Sequence, residues 1–295
     1  MEKNQSNLWK KIALLQVLSA LSKNDEIKKA LIFKGALILN YRLGTERMSL
    51  DIDSNLDLNF SLQLPDRGDQ KAFLEKHIPV AITRYFENQD PVRYEFSGLK
   101  VSLTPRADHP RGWNAFLIKI NLIDNENADV RGLPALTIDV AAPENLTDRS
   151  ISEIKWSNGE KIRAYTLERI AGEKARAFLS TLPTYREKVK KPGEAIRVKD
   201  LYDLTRILAE KPITDKEFWQ TAGEEFRLAC ESRHIDCFGI ESFTEDWKSI
   251  EESFESDSII PTDKTFDEIE KTISTIARFW TEQKITPFEF PLPAQ

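Results

Sequence analysis

The sequence predicts a mixed α/β half followed by an all-helical half. Between residues 30 and 140, short apolar runs and alternating apolar and polar residues, both typical of strands, are interleaved with helical spacing. From Thr166 onward the spacing is helical only. The change falls at residues 155–165, so we predict one domain over residues 1–160 and another over residues 161–295. The composition, 40% hydrophobic and 31% charged over 295 residues, is typical of a globular protein that buries a substantial core.

Helical and extended patterns alternate in the first half. A helix is predicted around Trp9 because apolar residues recur at i, i+3, i+4 and i+7, and Gly44 ends the helix that follows Gly35. Leu50–Leu62 alternates between apolar and polar residues, which predicts a strand bent near Ser54-Asn55. The patterns together predict helices at Trp9–Leu21, Ala36–Tyr41 and Gln70–Asn88, a short apolar run at Ala30–Phe33, and strands at Leu50–Leu62, Val92–Leu103, Phe116–Ile123 and Leu136–Val140.

The second half contains helical patterns only. The predicted helices cover Thr166–Leu182, Asp200–Glu210, Asp215–Cys230, Phe243–Phe254 and Phe266–Gln283. The chain shows no internal repeat and no low-complexity segment. Its tail, Pro287–Gln295, holds three prolines and is predicted to be extended.

Composition excludes several classes of protein. The first apolar run, Ile12–Leu21, is broken by Gln16 and Ser19, so it is an amphipathic helix and neither a signal peptide nor a membrane span. Two cysteines, Cys230 and Cys237, cannot form a disulfide framework or a four-ligand metal site. Cytoplasmic residence is the default expectation.

The net charge of −6 means that overall charge does not attract nucleic acid to this chain. Any contact with RNA or DNA therefore requires a local basic patch. One candidate is the segment from residue 186 to residue 199, which contains Arg186, Lys188, Lys190, Lys191, Arg197 and Lys199 against Glu187 and Glu194. The alternative is a solvated loop.

Two acids separated by one residue, Asp51 and Asp53, lie in the strand predicted at Leu50–Leu62. Residues i and i+2 of a strand point to the same side, so both carboxylates face one way while Leu50 and Ile52 face the core. Such carboxylates repel each other unless a cation lies between them, and hard oxygen ligands suit Mg²⁺. The alternative is a solvated strand face, where this pattern is common.

Gly35 and Asp139 add to this pattern. Gly35 lies where the run Ala30–Phe33 passes into a helix, and backbone N–H groups at a helix start can receive phosphate oxygens. Glycine permits close approach of a phosphate, although a plain tight turn is the alternative. Asp139 adds a carboxylate that could bind metal or activate an attacking hydroxyl. The alternative interpretation is that Asp139 is an ordinary acid at the end of a strand.

Lys174 lies inside the apolar stripe of the helix predicted at Thr166–Leu182, which comprises Leu167, Ile170, Ala171 and Phe178. A bare charge is expensive in a buried face, so this lysine must extend its amine to solvent or meet a negative partner. A nucleotide phosphate would be a suitable partner. Snorkelling at the rim of the stripe is the alternative.

Asp200 and Asp203 lie three residues apart at the start of the helix predicted at Asp200–Glu210, so they are neighbours on one face. Acids in a first helical turn are also ordinary capping residues. Helix propensity alone favours that structural interpretation.

These segments resemble the AbiEii/AbiGii-type nucleotidyltransferase toxins of bacterial type IV toxin–antitoxin systems. The resemblance runs in the family's order over residues 30–208, and Asp139 lies where the family often has an acid. One departure is Gly35-Ala36, where many nucleotidyltransferases have Gly-Ser or Gly-Gly, so a hydroxyl contact to phosphate is absent. The matching segments are Phe33-Lys-Gly-Ala-Leu37, Arg47-Met-Ser-Leu-Asp-Ile-Asp53, Thr166-Leu-Glu-Arg-Ile-Ala-Gly-Glu-Lys-Ala-Arg176 and Arg197-Val-Lys-Asp-Leu-Tyr-Asp203.

The resemblance implies an α/β fold, with a nucleotidyltransferase-fold mixed sheet and helices followed by an all-helical C-terminal domain that contributes Lys174 and Asp200 to the site. It implies a Mg-dependent nucleotidyltransferase that transfers a nucleotide from an NTP, in some members to the 3′ end of tRNA. It also implies a toxin neutralised by a separately encoded antitoxin.

The resemblance also implies roles for individual residues. Asp51 and Asp53 would bind Mg²⁺ or Mn²⁺ and act in catalysis with Lys174 and Asp200, and Asp139 would be a third acid. Nucleotide binding would fall to Lys34, Gly35, Arg47 and Ser49, and support to Arg197, Lys199 and Asp203. Acceptor binding is assigned to Lys188, Lys190 and Lys191 because they lie in the local basic segment.

Two alternatives to a tRNA-modifying enzyme stay open at this point. One is a non-catalytic NTP-binding regulatory or interaction protein, which Gly35-Ala36 and the acidic net charge favour. The other is nucleotide transfer to a protein hydroxyl, which differs only in the acceptor. No membrane partner is predicted.

Overall fold

The computed structural model describes residues 3–44, 49–107, 113–127, 132–157, 159–182, 196–244, 246–257 and 260–291. The chain divides into two compact units. Unit 1 comprises Met1–Tyr41, Thr45–Glu144 and Ile151–Tyr165, and unit 2 comprises Arg42–Gly44, Asn145–Ser150 and Thr166–Gln295. The predicted α/β class with C-terminal helices is confirmed, and the boundary between residues 160 and 161 stays a prediction.

Unit 1 is built on a mixed sheet of seven strands in the order β3-β4-β5-β2-β1-β7-β6. Among the described residues, β2 pairs with β5 and β1 pairs with β7 in parallel, and the other neighbours are antiparallel. The strands are β1 (Leu31–Lys34), β2 (Ile52–Leu56), β3 (Tyr94–Thr104), β4 (Ala115–Asp124), β5 (Leu136–Ala141), β6 (Ile151–Lys155) and β7 (Lys161–Tyr165).

Part of the core of unit 1 lies on one face of strands β2, β4 and β5, whereas the central strand β1 is buried on both faces. Alternate residues of β5 are buried, which is the pattern expected when one face packs against other elements. Ile52, Ile118 and Ile138 share this buried face across β2, β4 and β5. The helices of this part of the chain are α1 (Lys3–Ser22), α2 (Asp25–Ala30), α3 (Gly35–Leu43), α4 (Leu58–Gln63) and α5 (Arg67–Glu87), of which α1 contacts β5 and α5 contacts β3.

The prediction of one strand over Leu50–Leu62 is wrong in its second part. Strand β2 ends at Leu56, and the Asp57 side chain accepts a hydrogen bond from the backbone N–H of Phe60, which caps a helix. An aspartate cap outweighs the alternating pattern of the residues that follow. The sequence patterns also missed the short strands β6 and β7, each of five residues.

Unit 2 is helical in its described residues after Thr166, apart from one isolated β-bridge between Cys237 and Phe288. Gly172 allows close helix packing, because a Cβ atom there would lie 2.5 Å from the backbone N of Phe226. The predicted helix Phe243–Phe254 is divided in two. The helices are α6 (Leu167–Leu179), α7 (Val198–Glu210), α8 (Lys216–Glu231), α9 (Glu241–Thr244), α10 (Trp247–Ser256) and α11 (Phe266–Glu282).

No helix within the described ranges is long and apolar enough to cross a membrane.

Candidate active site

Three carboxylates of unit 1, those of Asp51, Asp53 and Asp139, form a cluster. One oxygen from each lies within 4.8 Å of the others. Strand pairing produces the cluster, because Asp53 of β2 lies opposite Asp139 of the parallel strand β5. Asp51 directly precedes β2, so it points to the same side as Asp53. The structure thus brings together the D-x-D acids and the third acid that the sequence analysis singled out.

The cluster is electrostatically unfavourable without a cation. Burial raises the pKa of Asp139, the negative charge of Asp51 raises it further, and Lys10 lowers it. Three half-buried carboxylates at this spacing form a hard oxygen donor set, which fits a divalent cation such as Mg²⁺ or Mn²⁺. The donor chemistry and the mutual repulsion both favour a bound cation.

The absence of a side chain at Gly35 leaves room for the Asp53 carboxylate. Gly35 has a φ of +75°, and a Cβ atom there would lie 2.0 Å from Oδ2 of Asp53. No side chain fits at that distance. This glycine, which the sequence predicts to allow close approach of a phosphate, is therefore also needed for the position of Asp53. Helix α3 begins at Gly35, so the N–H groups of its first turn lie next to the acidic cluster.

Ser49 and Lys34, both predicted to bind nucleotide, lie beside the acids. The Ser49 hydroxyl donates to the backbone oxygen of Asp51 at 3.2 Å and to its Oδ1 at 3.4 Å, which orients that residue. Lys34 is the register partner of Asp53 on the neighbouring strand β1. Arg47, the other predicted nucleotide ligand of this region, lies outside the described residues.

A second charged cluster lies within unit 2. The Lys174 ammonium is 2.7 Å from Oδ1 of Asp200 and 2.7 Å from Oδ2 of Asp203, and both carboxylates are fully buried. Arg197 contacts the other oxygen of Asp200 at 2.5 Å, and Arg206 lies 3.4 Å from Asp203. The predicted helix residues Lys174, Asp200 and Asp203 therefore meet in an ion network that joins α6 to α7.

The network keeps Asp200 ionised. Burial by itself would raise the pKa of Asp200, but Arg197 and Lys174 together hold that pKa well below its usual range. Of the other predicted residues, Lys199 is half-buried on α7. Lys188, Lys190 and Lys191 lie outside the described residues, so their role in acceptor binding stays a prediction.

Sequence reasoning missed Glu144 and Tyr165, which contact Lys34. Glu144 follows β5 and Tyr165 ends β7. Neither belongs to a recognisable motif, and only the pairing of β1 with β7 brings Tyr165 next to Lys34. No signal in a single sequence identifies that pairing, because strand order is a property of the fold.

Comparison with known proteins gives a family match and a structural match. The chain matches the family model described as "Nucleotidyl transferase AbiEii toxin, Type IV TA system" over residues 16–283. It is similar to the crystal structure of JHP933 from Helicobacter pylori, with a TM-score of 0.53, 13% sequence identity, and coverage of 96% of this chain and 94% of that chain. At this identity the likeness shows a shared fold. No curated protein matches the sequence.

Proposed function

The chain belongs to the family of AbiEii nucleotidyl transferase toxins of type IV toxin–antitoxin systems, and on this premise we propose that it transfers a nucleotide from an NTP to the 3′ end of tRNA with Mg²⁺ bound by Asp51 and Asp53. The observation that carries the proposal is the cluster of three carboxylates within 4.8 Å beside the start of α3. Metal-dependent phosphoryl chemistry requires such a set of hard oxygen ligands.

The chain's own residues would hold the triphosphate for in-line attack. The acceptor hydroxyl oxygen forms a bond to the α-phosphorus while the bond from that phosphorus to the bridging oxygen breaks, and pyrophosphate leaves. N–H groups of the first turn of α3 are suited to bind phosphate oxygens. Asp139 completes the ligand set or accepts the proton of the attacking hydroxyl. Mg²⁺, when bound, would stabilise charge on the phosphate oxygens.

Lys174 and Asp200 are proposed to act on the same reaction because they belong to the segments that match the family pattern. Lys174 would contribute positive charge toward the triphosphate. Asp200, which stays ionised through Arg197 and Lys174, would orient that lysine. The acceptor is proposed to be RNA bound by the basic segment of residues 186–199, because a chain with a net charge of −6 needs a local patch for this purpose.

A type IV toxin implies an antitoxin partner as well as a nucleotide substrate. We propose that the antitoxin is a separately encoded protein.

Labelled nucleotides test this function directly. The protein is incubated with each of the four NTPs labelled at the α-phosphate, bulk tRNA and Mg²⁺, with a chelator added to a matched control. The proposal expects label at the 3′ end of tRNA and none in the chelated sample. Label on protein instead of RNA would favour a protein hydroxyl as acceptor, and NTP binding without transfer would favour a regulatory protein.

A further inference from the structure

Lys34 occupies a distinctive place on the face of the sheet that carries the acids. It is the register partner of Asp53 in the antiparallel pair of β1 and β2, and such partners have Cβ atoms about 4.5–5.5 Å apart on the same face. In turn, Asp53 is the register partner of Asp139 on β5. Lys34, Asp53 and Asp139 therefore form one row across three neighbouring strands, and the positively charged Lys34 is at one end of that row.

Two buried residues surround the Lys34 ammonium. Its Nζ lies 3.9 Å from Oε1 of Glu144, whose side chain is only 2% exposed. The same Nζ lies over the ring of Tyr165, 5.5 Å from the centroid, which is within the range of a cation–π contact. The Tyr165 hydroxyl lies 3.3 Å from Oε2 of Glu144 and donates a hydrogen bond to it. Glu144 and Tyr165 thus contact each other, and both contact the Lys34 ammonium.

These contacts hold the Lys34 ammonium in position without using its hydrogen-bond donors. At 3.9 Å the contact with Glu144 is too long for a hydrogen bond, and no hydrogen bond from this ammonium occurs among the described residues. Lys174 differs, because two of its donors are already 2.7 Å from Asp200 and Asp203. An ammonium that is positioned but not hydrogen-bonded is suited to receive phosphate oxygens.

We propose that Glu144 and Tyr165 are positioning residues that hold the Lys34 ammonium beside the acidic cluster, where it binds the triphosphate of the incoming nucleotide. This inference rests on the proposed nucleotide transfer. Lys34 would touch the substrate, whereas Glu144 and Tyr165 would act only through Lys34.

The sign of one mutational effect separates this proposal from a simple charge effect. If Glu144 were only a nearby negative charge, Glu144→Gln would raise the affinity for phosphate by removing repulsion. If Glu144 positions Lys34, the same substitution lowers that affinity, because the ammonium loses its anchor. Glutamine keeps the shape of the side chain and an oxygen that can accept from Tyr165, so the fold should tolerate it.

The test measures binding of inorganic triphosphate in the presence of Mg²⁺ by calorimetry, together with the KM for the NTP. Lys34→Met should weaken triphosphate binding by ~10- to 100-fold, as expected for a lost hydrogen bond to a charged group. Glu144→Gln should weaken it by about 3- to 10-fold, and the double variant should be no weaker than Lys34→Met, because coupled residues are not additive. The NTP KM should rise in parallel.

Two further variants serve as control and as second probe. Glu153→Gln removes an exposed carboxylate of the same unit, which contacts Lys161 at 2.9 Å, and should leave triphosphate affinity unchanged. Tyr165→Phe keeps the ring under the ammonium and removes the hydroxyl that binds Glu144, so it should lower affinity by less than Glu144→Gln does. It provides the same test if Glu144→Gln fails to fold.

Equal or tighter triphosphate binding by a folded Glu144→Gln protein would overturn the positioning role, as would additive losses in the double variant. These results are distinguishable from failure of the proposed function. In that case the wild-type protein transfers no nucleotide in any condition, whatever the affinities of the variants.

Discussion

At the scale of single residues, the site depends on close contacts that leave no room for substitution. Gly35→Ala places a methyl group where the Asp53 carboxylate lies, so Asp53 must move out of the cluster. We expect this variant to lose most Mg²⁺-dependent transfer, and the assay is the labelled-nucleotide reaction. Its control is Gly132→Ala, because Gly132 has a similar φ of +78° but no atom within 4 Å of the added Cβ.

Both glycine substitutions carry a backbone cost of about 1–2 kcal/mol for a left-handed conformation. Stability alone therefore cannot explain a difference in activity between them. Equal activity in the two variants would show that the position of Asp53 is not critical.

Asp139 provides a second prediction at this scale. Asp139→Asn removes one of three clustered negative charges from a half-buried position, so the protein without metal should gain stability and show a higher Tm. The same change should reduce the rise in Tm that Mg²⁺ produces, because a ligand is lost. Thermal unfolding with and without Mg²⁺ measures both effects. Asp90→Asn, at an exposed position, is the control and should change neither.

The sequence predicted part of this cluster for a clear physical reason. Strand periodicity places Asp51 and Asp53 on one side whatever the rest of the fold does. The proximity of Asp139 to Asp53 depends on the parallel pairing of β2 with β5, which no local pattern encodes. The contacts of Glu144 and Tyr165 with Lys34 depend on strand order in the same way.

At the scale of elements, local patterns located most helices and strands but failed where two signals compete. In the segment after β2, alternation of apolar residues favours a strand, while the side chain of Asp57 caps a helix and determines the outcome. Strands β6 and β7 are short, and they form a hairpin whose partners are set by tertiary pairing. Long amphipathic helices such as α6 and α11 were predictable because their periodicity extends over several turns.

The ion network between α6 and α7 yields a prediction about stability. Lys174→Met leaves two fully buried carboxylates, those of Asp200 and Asp203, without their shared cation. Removal of the partner of an isolated buried charge typically costs about 3–5 kcal/mol. Arg197 and Arg206 still contact the two carboxylates, so the cost here should lie at or below the lower end of that range, and the variant should unfold at lower denaturant concentration. Lys199→Met, at a half-buried position on α7, should cost far less.

The same network sets the pH dependence of stability. The pKa of Asp200 is lower in the folded protein than in the unfolded chain, so its contribution is present above the unfolded pKa and is lost as pH falls toward the folded pKa. Wild type and Lys174→Met should therefore differ most at neutral pH, and the difference should shrink as the pH falls below the unfolded pKa of about 3.9. Denaturant titrations at pH 7 and at about pH 2.5 measure this, and the same difference at both pH values would contradict the ion-network explanation.

At the scale of the whole molecule, the net charge of −6 limits how the protein can bind RNA. Replacement of Lys188, Lys190 and Lys191 by Gln removes three cations from the predicted acceptor segment. We expect weaker tRNA binding and a shallower dependence of affinity on salt, because fewer counterions are released. Binding of the NTP should be unaffected. Identical salt slopes for wild type and variant would exclude this segment from the acceptor site.

Asp51 and Asp53 are proposed to hold the metal for nucleotide transfer, and a Mg²⁺ titration of their alanine variants tests this role. Nucleotide transfer is measured as a function of Mg²⁺ concentration for wild type, Asp51→Ala and Asp53→Ala, with Tm as a check on folding. We predict Mg²⁺-dependent transfer by wild type and none by either variant, with both variants at least as stable as wild type without metal, because charge repulsion is relieved. Transfer at the wild-type rate by either folded variant would contradict this role.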